Sequence, residues 1–342
     1  MPGVLIAMSG GVDSSVAAYL LQRKGYSCVG VTFDMVAGIS GGGQEAAAIC
    51  GHLGIPHRIV DVREDFERYV VRHFVDTYVG GATPNPCIEC NRHVKFNRLL
   101  GLADSMGIEH IATGHYARVR NCEASSSYML MKGTDASKDQ SYMLYTLSQD
   151  MLGRVLFPLG GITKKEVRAI AASIGLVNAD REDSQDICFV RDGDYAAFID
   201  RYTGKPEETG DFIDADGNAV GRHKGLIHYT IGQRKGLGIA FGKPVFVRDK
   251  DVAMNTVTIC GEAGLMSDSL YATELNWTVN RTLPLRVMAK TRYRHAGQWA
   301  TVLNMDTKTV QVVFDEPQRA ITKGQAVVFY DGDIVLGGGT IL

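Results

Sequence analysis

The first 25 residues change from a continuous apolar run to a spaced apolar pattern at a glycine-rich turn. Residues 4–8 are apolar and few enough to form one buried strand, and residues 9–11 carry a turn signal. Apolar residues then recur at helical spacing until Gly25, which favours a helix end; they are Val12, Val16, Ala17, Leu20 and Leu21. The pattern predicts a strand, a turn and a helix, in that order.

The alternation of strand and helix patterns continues to about residue 180. The strand patterns are residues 28–33, 57–61 and 109–113, and the helical patterns are residues 44–53 and 91–106. Thr163 and Glu166 have the spacing of a capping box, and the helix that they open should end at Gly175. Such alternation predicts an α/β fold with a doubly wound parallel sheet, which we assign to a first domain at residues 1–200.

Glycine-rich turns and short strand patterns replace this alternation after residue 201. Residues 244–248 and 256–260 are strand-like pieces of a small central domain, which we place at residues 201–265. Short alternating strands dominate residues 266–342 and predict a C-terminal β-barrel. These strands are residues 286–290, 300–303, 309–314 and 326–330.

Composition narrows the class of protein. The chain has 342 residues, 45% hydrophobic and 22% charged, which excludes a disordered or collagen-like chain. Its seven cysteines are too few for a disulfide scaffold and favour a reducing, cytoplasmic setting. No run reaches the roughly 18 apolar residues of a membrane span, and the apolar start has no basic residue before Arg23, unlike a secretory leader. The net charge of −2 means that a polyanion would need a local basic surface.

The turn between the first strand and helix has the sequence S-G-G-V-D-S-S at residues 9–15. Backbone N–H groups and the helix dipole favour an anion at such a position. The sequence is neither a Walker loop, which needs a lysine, nor G-x-G-x-x-G. An ordinary glycine turn, with Asp13 or Ser14 as the helix cap, is the plain alternative.

The same string resembles the pyrophosphatase loop of the PP-loop enzymes, which cleave ATP between the α and β phosphates. The resemblance implies binding of ATP, adenylation of a substrate oxygen and release of pyrophosphate. It also implies that Asp13 and Ser14 contact Mg²⁺ or phosphate oxygens.

A pair of cysteines, Cys87 and Cys90, stands just before the predicted helix at residues 91–106, and Cys188 follows in a polar segment. A helix N-terminus lowers the pKa of a thiol, so we expect reactive thiols here. The C-x-x-C spacing alone suits half a zinc site, a redox pair or iron–sulfur ligands equally. The other cysteines are expected to be structural or incidental; they are Cys28, Cys50, Cys122 and Cys260.

Seven motifs in chain order cover nearly the whole chain and are similar to those of the bacterial tRNA-specific 2-thiouridylases (tRNA-uridine 2-sulfurtransferases) of the PP-loop superfamily. They are S-G-G-V-D-S at 9–14, T-P-N-P-x-x-x-C-N at 83–91, A-T-G-H-Y-A-R at 112–118, S-K-D-Q-S-Y at 137–142, D-S-Q-D-I-C-F at 183–189, H-Y-T-I-G-Q-R-K-G-L-G at 228–238 and K-T-R-Y-R at 290–294. The resemblance implies a sheet of the PP-loop (adenine nucleotide α-hydrolase-like) type and ATP-dependent thiolation of the wobble uridine of tRNA at C2.

The resemblance also assigns residues. Cys90 would be the nucleophile and Cys188 the persulfide carrier, and the two would finish as a disulfide. The ATP-contacting positions would be Ala7, Met8, Ser9, Gly10, Gly11, Val12, Asp13, Ser14, Phe33 and Gly114. The positions around the target base would be Asn85, Pro86 and Cys87, and those touching tRNA would be His115, Lys138, Asp139, Gln140, Arg292, Tyr293 and Gln325. Implied partners are the tRNAs that read Lys, Glu and Gln codons, and a sulfur-relay protein or cysteine desulfurase as donor.

The chain departs from the family pattern in two places. Many members have Asp where this chain has Cys87, and that Asp is a candidate general acid/base, so the proton acceptor here is undetermined. Cys87, Cys90 and Cys188 could alternatively hold a [4Fe-4S] cluster that carries sulfide. Residues 36–44 form a shorter, glycine-rich link than in relatives, so the segment covering ATP is expected to differ.

Two basic runs could contact RNA phosphates. Residues 222–243 and 281–295 contain five Lys or Arg each and no acidic residue, and Tyr229 and Tyr293 within them could stack on bases. A solvated basic face is the plain alternative. A target uridine would have to leave its stack to reach the cysteines, so base flipping is expected.

Two other functions remain open at this stage. A PP-loop ligase acting on a small metabolite would need the nucleotide loop but neither Cys90 nor Cys188. A non-enzymatic RNA-binding or metal-storage protein would not need the nucleotide loop. Serine substitutions of the two cysteines and an assay of tRNA-dependent pyrophosphate release distinguish them.

Overall fold

The computed structural model describes residues 1–36, 41–122, 126–176, 187–190, 192–239 and 241–342. Residues 183–186 of one motif and residues 37–40 of the glycine-rich link lie outside the described residues. Within the described ranges, no helix combines the length and apolar character needed to cross a membrane.

A parallel sheet forms the centre of the N-terminal half. The strands of this half are β1 (Gly3–Ala7), β2 (Ser27–Asp34), β3 (His57–Asp61), β4 (His110–Ala112), β5 (Ala117–Cys122), β6 (Ser127–Lys132) and β7 (Val155–Leu156). The sheet order is β3-β2-β1-β4-β7, and every pairing in it is parallel. Val4, Leu5 and Ile6 of the central strand are fully buried, as expected for a strand covered on both faces. The predicted doubly wound sheet is confirmed.

Helices cover the two faces of this sheet and continue beyond it. They are α1 (Val12–Arg23), α2 (Gly41–Leu53), α3 (Arg63–Phe66), α4 (Arg72–Val79), α5 (Pro86–Glu89), α6 (Phe96–Ser105), α7 (Gln149–Arg154), α8 (Lys164–Ser173) and α9 (Tyr195–Thr203). The predicted capping box is present at α8, where the Thr163 hydroxyl accepts from the Glu166 N–H and the Glu166 carboxylate accepts from the Thr163 N–H. Short π-helical segments at Glu67–Val71 and Cys90–Lys95 join α3 to α4 and α5 to α6.

The helix that carries the cysteine pair begins earlier than the apolar pattern predicted. We predicted a helix over residues 91–106, but helical structure starts at Pro86. Asn85 caps it, since its side-chain oxygen accepts from the Ile88 N–H at 3.4 Å, and Pro86 fills the first helical position, which needs no N–H donor. Cap and turn chemistry therefore set the boundary, and Cys90 lies inside the helix rather than ahead of it.

A small second sheet and a barrel form the remainder. The strands are β8 (Gly210–Ile213), β9 (Ala219–His223), β10 (Phe246–Asp251), β11 (Thr256–Cys260), β12 (Met266–Trp277), β13 (Leu285–Lys290), β14 (Gln298–Asn304), β15 (Val310–Arg319), β16 (Ala326–Asp331) and β17 (Ile334–Ile341). The order β10-β11-β8-β9 forms the small sheet. Pairing runs β12-β15-β14-β13-β16-β17 and returns to β12, which closes the predicted barrel.

The barrel is joined to the N-terminal half through a shared sheet and core. The β5–β6 hairpin extends the barrel sheet, with Ile334 opposite Met131. Val328 and Tyr330 of the barrel belong to the same buried cluster as Leu5 of the parallel sheet. Residues of the barrel can therefore brace loops near the carboxyl edge of that sheet.

Candidate active site

A cavity of about 590 Å³ opens at the carboxyl edge of the parallel sheet. The chain leaves β1 toward α1, and β1 lies between β2 and β4, so the edge contains the point where strand order reverses. Ligands of open α/β sheets bind at this position. The described residues that line it include those of the β1–α1 turn, the ends of β2 and β4, and the π-helical segment with Lys95. Further lining residues are Gly42, Gly43, Ile59, Arg63, Gln140 and Cys188.

Most positions that the family resemblance assigns to ATP line this cavity. They are Ala7, Met8, Ser9, Asp13, Ser14, Phe33 and Gly114, whereas Gly10, Gly11 and Val12 form the turn behind them. Gly10 has φ +78°, a left-handed conformation suited to glycine. The Ser14 hydroxyl donates to the Gly11 carbonyl at 3.0 Å and accepts from the Ser9 N–H at 3.3 Å, which fixes the turn at the start of α1. These bonds hold the turn in a conformation of the kind that binds anions at helix N-termini.

Gly114 must be glycine because it abuts the backbone of this turn. A Cβ on Gly114 would lie 2.9 Å from both the Asp13 carbonyl carbon and the Ser14 nitrogen. Backbone atoms cannot move aside as a flexible side chain can, so the end of β4 and the start of α1 touch only because this Cβ is absent.

Asp13 is held by two residues that sequence reasoning did not select. Lys164 Nζ donates to the two Asp13 carboxylate oxygens at 2.7 and 2.8 Å, and the Tyr116 hydroxyl donates to Oδ1 at 2.7 Å. Lys164 is only 8% exposed, so its charge needs this partner. The available signals were the capping box, which places Lys164 first in α8, and the A-T-G-H-Y-A-R motif, which contains Tyr116.

The three candidate cysteines lie close together. We call the part of the cavity beside them the thiol end, and the part beside residues 9–14 the nucleotide end. Cys188 lines the cavity, and its charge interacts with those of Cys87 and Cys90. Cys90 is buried, whereas Cys87 and Cys188 reach solvent. Cys90 and Cys188 are both free thiols, so the structure does not contain the disulfide that the family resemblance implies. Cys28 and Cys50 are buried in the core, as expected.

The expectation of a lowered thiol pKa at Cys87 and Cys90 is wrong, and the pKa of Cys188 is raised as well. Desolvation raises the pKa of Cys87 and of Cys90, and it raises the pKa of Cys188 to about 11, with a smaller contribution from the neighbouring cysteines. Burial disfavours a thiolate more than the surrounding charges favour it. At neutral pH the three resting thiols therefore hold their protons.

Lys95 is the cation at this end of the cavity, and sequence reasoning missed it. It lines the cavity, and its charge lowers the pKa of all three cysteines against the larger effect of burial. In a regular α-helix, five residues advance about 140° beyond a full turn, so Lys95 and Cys90 would lie on different faces. The wider π-helical turn, with its i to i+5 bonding, brings them to one side.

His115 completes the thiol end. Its Nδ1 is 2.7 Å from the Thr113 hydroxyl, and its ring stacks on Phe96 with centroids 5.9 Å apart. Burial, and secondarily the charge of Lys95, lower the pKa of His115 well below its usual range. The imidazole is therefore neutral at physiological pH.

The loop assigned to the target base is braced by the barrel. The Gln325 amide donates to the carbonyls of Thr83 and Pro84 at 2.9 and 3.0 Å. This bracing positions Asn85 and Pro86 at the start of α5. The family resemblance assigns Gln325 to tRNA contact, but its amide nitrogen already donates hydrogen bonds within the chain.

The other assigned tRNA positions fall into two groups. Near the cavity, Gln140 lines the wall and accepts from the Tyr116 N–H at 2.9 Å, while the Asp139 carboxylate accepts from the Gly133 N–H at 3.0 Å; Lys138 is in the same loop. In the barrel, Arg292 donates to the carbonyls of Ile231 and Ala320 and to the Thr322 hydroxyl, and Tyr293 packs near Tyr142. Their contact with tRNA stays a prediction.

Both basic runs contain an arginine that is paired with an acidic residue elsewhere in the chain, which the sequence of the runs did not indicate. Arg222 pairs with Asp211 at 3.0 Å, and Arg286 pairs with Asp315, so acidic residues from neighbouring strands neutralise part of each run. Tyr229 is only 2% exposed and packs edge-on against Phe212, so the expected stacking platform is wrong at that position. A strand pattern could not show that the tyrosine faces the core of the small sheet.

The described residues contain no group of three or more His, Cys, Asp or Glu side chains placed to hold a metal ion. The three cysteines interact through their charges, but as placed they do not supply the ligand set of an iron–sulfur cluster. A magnesium ion bound with a nucleotide needs only one or two carboxylates besides phosphate oxygens, and Asp13 fits that requirement.

Comparison with protein-family models gives three consecutive matches. Residues 2–192 match the tRNA methyl transferase HUP domain, residues 196–261 the tRNA methyl transferase PRC-barrel domain, and residues 267–341 the aminomethyltransferase beta-barrel domain. The first match alone covers more than half of the chain.

Full-length relatives identify the family more closely. The chain is 46% identical over 351 residues to the tRNA-specific 2-thiouridylase MnmA of Clostridioides difficile, covering 99% of this chain and 97% of that protein. It is 47% identical over 353 residues to the protein of the same name from Carboxydothermus hydrogenoformans, again covering 99% and 97%. A solved 4-thiouridine synthetase–RNA complex with bound ATP overlaps 55% of this chain and 44% of that chain at 24% identity and a TM-score of 0.39, too loosely to carry an argument. The chain belongs to the family of tRNA-specific 2-thiouridylases.

Proposed function

We propose that this protein catalyses the ATP-dependent 2-thiolation of the wobble uridine of tRNA. The observation that carries the proposal is that one cavity is lined both by the nucleotide turn and by Cys188. A small-metabolite ligase has no use for thiols beside its nucleotide, and a storage protein has no use for the turn. The full-length likeness to 2-thiouridylases supports the same reaction.

The nucleotide end binds ATP in this proposal. Ser9 and Ser14 present hydroxyl and backbone groups to its phosphates. The phenyl ring of Phe33 lines the same cavity. Asp13, together with phosphate oxygens, would hold Mg²⁺, which would neutralise part of the phosphate charge. Lys164 and Tyr116 keep the Asp13 carboxylate in place before ATP arrives.

The reaction then has three steps. The uridine O2 attacks the α-phosphorus, and pyrophosphate leaves. The outer sulfur of the Cys188 persulfide attacks C2, the C2–O2 bond breaks, and its electron pair leaves with AMP. Cys90 attacks the Cys188 sulfur as its proton passes to N3 of the leaving 2-thiouridine, which releases the product and leaves a Cys90–Cys188 disulfide. An external thiol reductant converts the disulfide back to two thiols, and a donor persulfide then transfers its outer sulfur to Cys188 and is left as a thiol.

Proton transfer in this chain must differ from that of relatives with Asp at position 87. Burial raises the pKa of Cys87, so its thiol keeps its proton at neutral pH and is a poor base. The neutral imidazole of His115 lines the same cavity and can accept the uridine N3 proton. We propose no step through an iron–sulfur cluster, since the described cysteines do not form its ligand set.

The finer assignments belong to this proposal as well. The substrates would be tRNAs reading Lys, Glu and Gln codons, with a sulfur-relay protein or cysteine desulfurase as donor in the cytoplasm. The tRNA would contact residues 138–140, Arg292, Tyr293 and Gln325 and would insert the flipped uridine beside residues 85–87. The domain division at 1–200, 201–265 and 266–342 would separate chemistry from RNA binding.

The test is a thiolation assay with purified full-length protein, ATP, Mg²⁺, tRNA, a cysteine desulfurase with cysteine as the source of persulfide sulfur, and a thiol reductant. We expect 2-thiouridine in the digested tRNA by mass spectrometry, and its loss in C90S and C188S. C122S is the matched control, because Cys122 lies in the β5–β6 hairpin and not in the cavity. Absence of 2-thiouridine with the unaltered protein contradicts the proposal, and iron assay of the same preparation, with activity of C87S, tests the cluster alternative.

A further inference from the structure

In the described part of the chain, Arg63 and Lys95 line the cavity with side chains that are positively charged at neutral pH, and they differ in whether an acidic residue already holds them. Arg63 forks onto the Asp61 carboxylate, with Nε 2.9 Å from Oδ1, and also lies 3.7 Å from Asp34. Among the residues that the structure describes, Lys95 has neither an ion-pair nor a hydrogen-bond partner for its ammonium group. A half-buried ammonium that faces a cavity without a partner is suited to bind an anion there.

The location of Lys95 indicates which anion this is. Lys95 is near enough to Cys188, Cys90 and His115 for its charge to change the protonation of each, so it lies at the thiol end. In an adenylated uridine, O2 is bonded to both C2 and the α-phosphorus. A sulfur that can reach C2 is therefore also next to the α-phosphate. The cation beside the thiols must then be beside that phosphate.

We propose that Lys95 binds the α-phosphate of the nucleotide and holds it as AMP leaves. This inference rests on the proposed function. When sulfur bonds to C2 and the C2–O2 bond breaks, the electron pair remains on the departing oxygen, and the phosphate gains one negative charge. A fixed ammonium beside it stabilises that added charge in the transition state as well as in the product.

The same placement explains why Lys95 lies on a π-helical segment. Cys90 and Lys95 are the first and last residues of that segment. The one extra residue per turn lets a single helix present a sulfur and a phosphate ligand to the same small volume. π-helical turns are frequent at functional sites for this kind of reason.

The test compares AMP with adenosine, which share every group except the phosphate. Binding to the full-length protein is measured by calorimetry for the unaltered protein, K95M, K95R and the control K24M, which removes an exposed lysine at the end of α1. We expect K95M to bind AMP at least about tenfold more weakly with adenosine binding unchanged, and K95R to keep most of the AMP affinity. No loss of AMP affinity, or an equal loss for both ligands, overturns the proposal.

A second measurement uses the unaltered protein and so does not depend on a variant that folds. Lysine acylation is followed by mass spectrometry with AMP, with adenosine, and without either, and Lys24 is the internal reference. AMP should protect Lys95 and adenosine should not; no protection by AMP overturns the proposal. The thiolation assay judges the proposed function independently, because AMP can protect Lys95 in a protein that thiolates nothing.

Discussion

The two ends of the cavity are built in opposite ways. The nucleotide end is centred on the turn at residues 9–11 and the start of α1, and the Asp13 carboxylate there is already bound by Lys164. The thiol end combines Cys90, Lys95, His115 and Cys188 from distant parts of the chain. There the thiols are protonated and the ammonium has no partner in the described structure. One end is complete before its ligand binds, whereas the other becomes complete with its reactants.

The largest effect expected from this contrast is on thiol reactivity. With its pKa raised to about 11, Cys188 should react with iodoacetamide about 100-fold more slowly at pH 7 than an unperturbed thiol. Because the pKa is raised, the rate should climb about tenfold per pH unit up to pH 11. Mass spectrometry of the Cys188 peptide across pH measures this. A plateau near pH 8.5, or no difference from the urea-denatured chain, contradicts it.

The nucleotide end should be the more sensitive to a single added methyl group. In G114A the new Cβ collides with backbone at Asp13 and Ser14, so the turn must shift, and we expect ATP affinity to fall at least tenfold. G161A is the matched control, since nothing lies within 4 Å of a Cβ at Gly161. Calorimetric titration with ATP compares the two variants. Equal affinities would mean that the turn is not as rigid as the contacts indicate.

Removal of the lysine at each end should affect different properties. K164M leaves the Asp13 carboxylate without its cation, and because Asp13 is about one-third exposed we expect a loss of about 2 kcal/mol in the free energy of unfolding. K165M, which changes the exposed neighbour, should change it by less than about 0.5 kcal/mol. K95M should not destabilise, because Lys95 has no partner in the described structure to lose. Urea denaturation of the three variants measures this, and a stability loss in K95M equal to that in K164M would remove the contrast.

The smallest expected effect concerns the helix that carries Cys87 and Cys90. N85A removes the cap of this helix and should cost about 1 kcal/mol of unfolding free energy. N97A, at an exposed position within α6, should cost nothing measurable. Denaturation of both variants tests whether local cap chemistry fixes the start of the helix. An unchanged stability in N85A would show that the barrel contact through Gln325 fixes it instead.

Sequence reasoning succeeded where the signal is local. The strand at residues 4–8 and the turn after it follow from consecutive residues, and so does the capping box at Thr163. Sequence reasoning failed where the environment of a residue depends on parts of the chain that are distant in sequence. Tyr229 was expected on the surface and is buried against Phe212, and the cysteines were expected to be acidic but are desolvated.

By itself the sequence determined the order of strands and helices, the turn at residues 9–14, and the three cysteines available for chemistry, because each depends on side-chain type and short-range spacing. Only the tertiary structure decided that Lys164 holds Asp13, that a π-helical turn sets Lys95 beside Cys90, and that the β5–β6 hairpin joins the barrel. The physical reason is that burial, ion pairing and sheet pairing depend on which segments become neighbours. Packing of the whole chain decides which segments become neighbours, and local spacing does not.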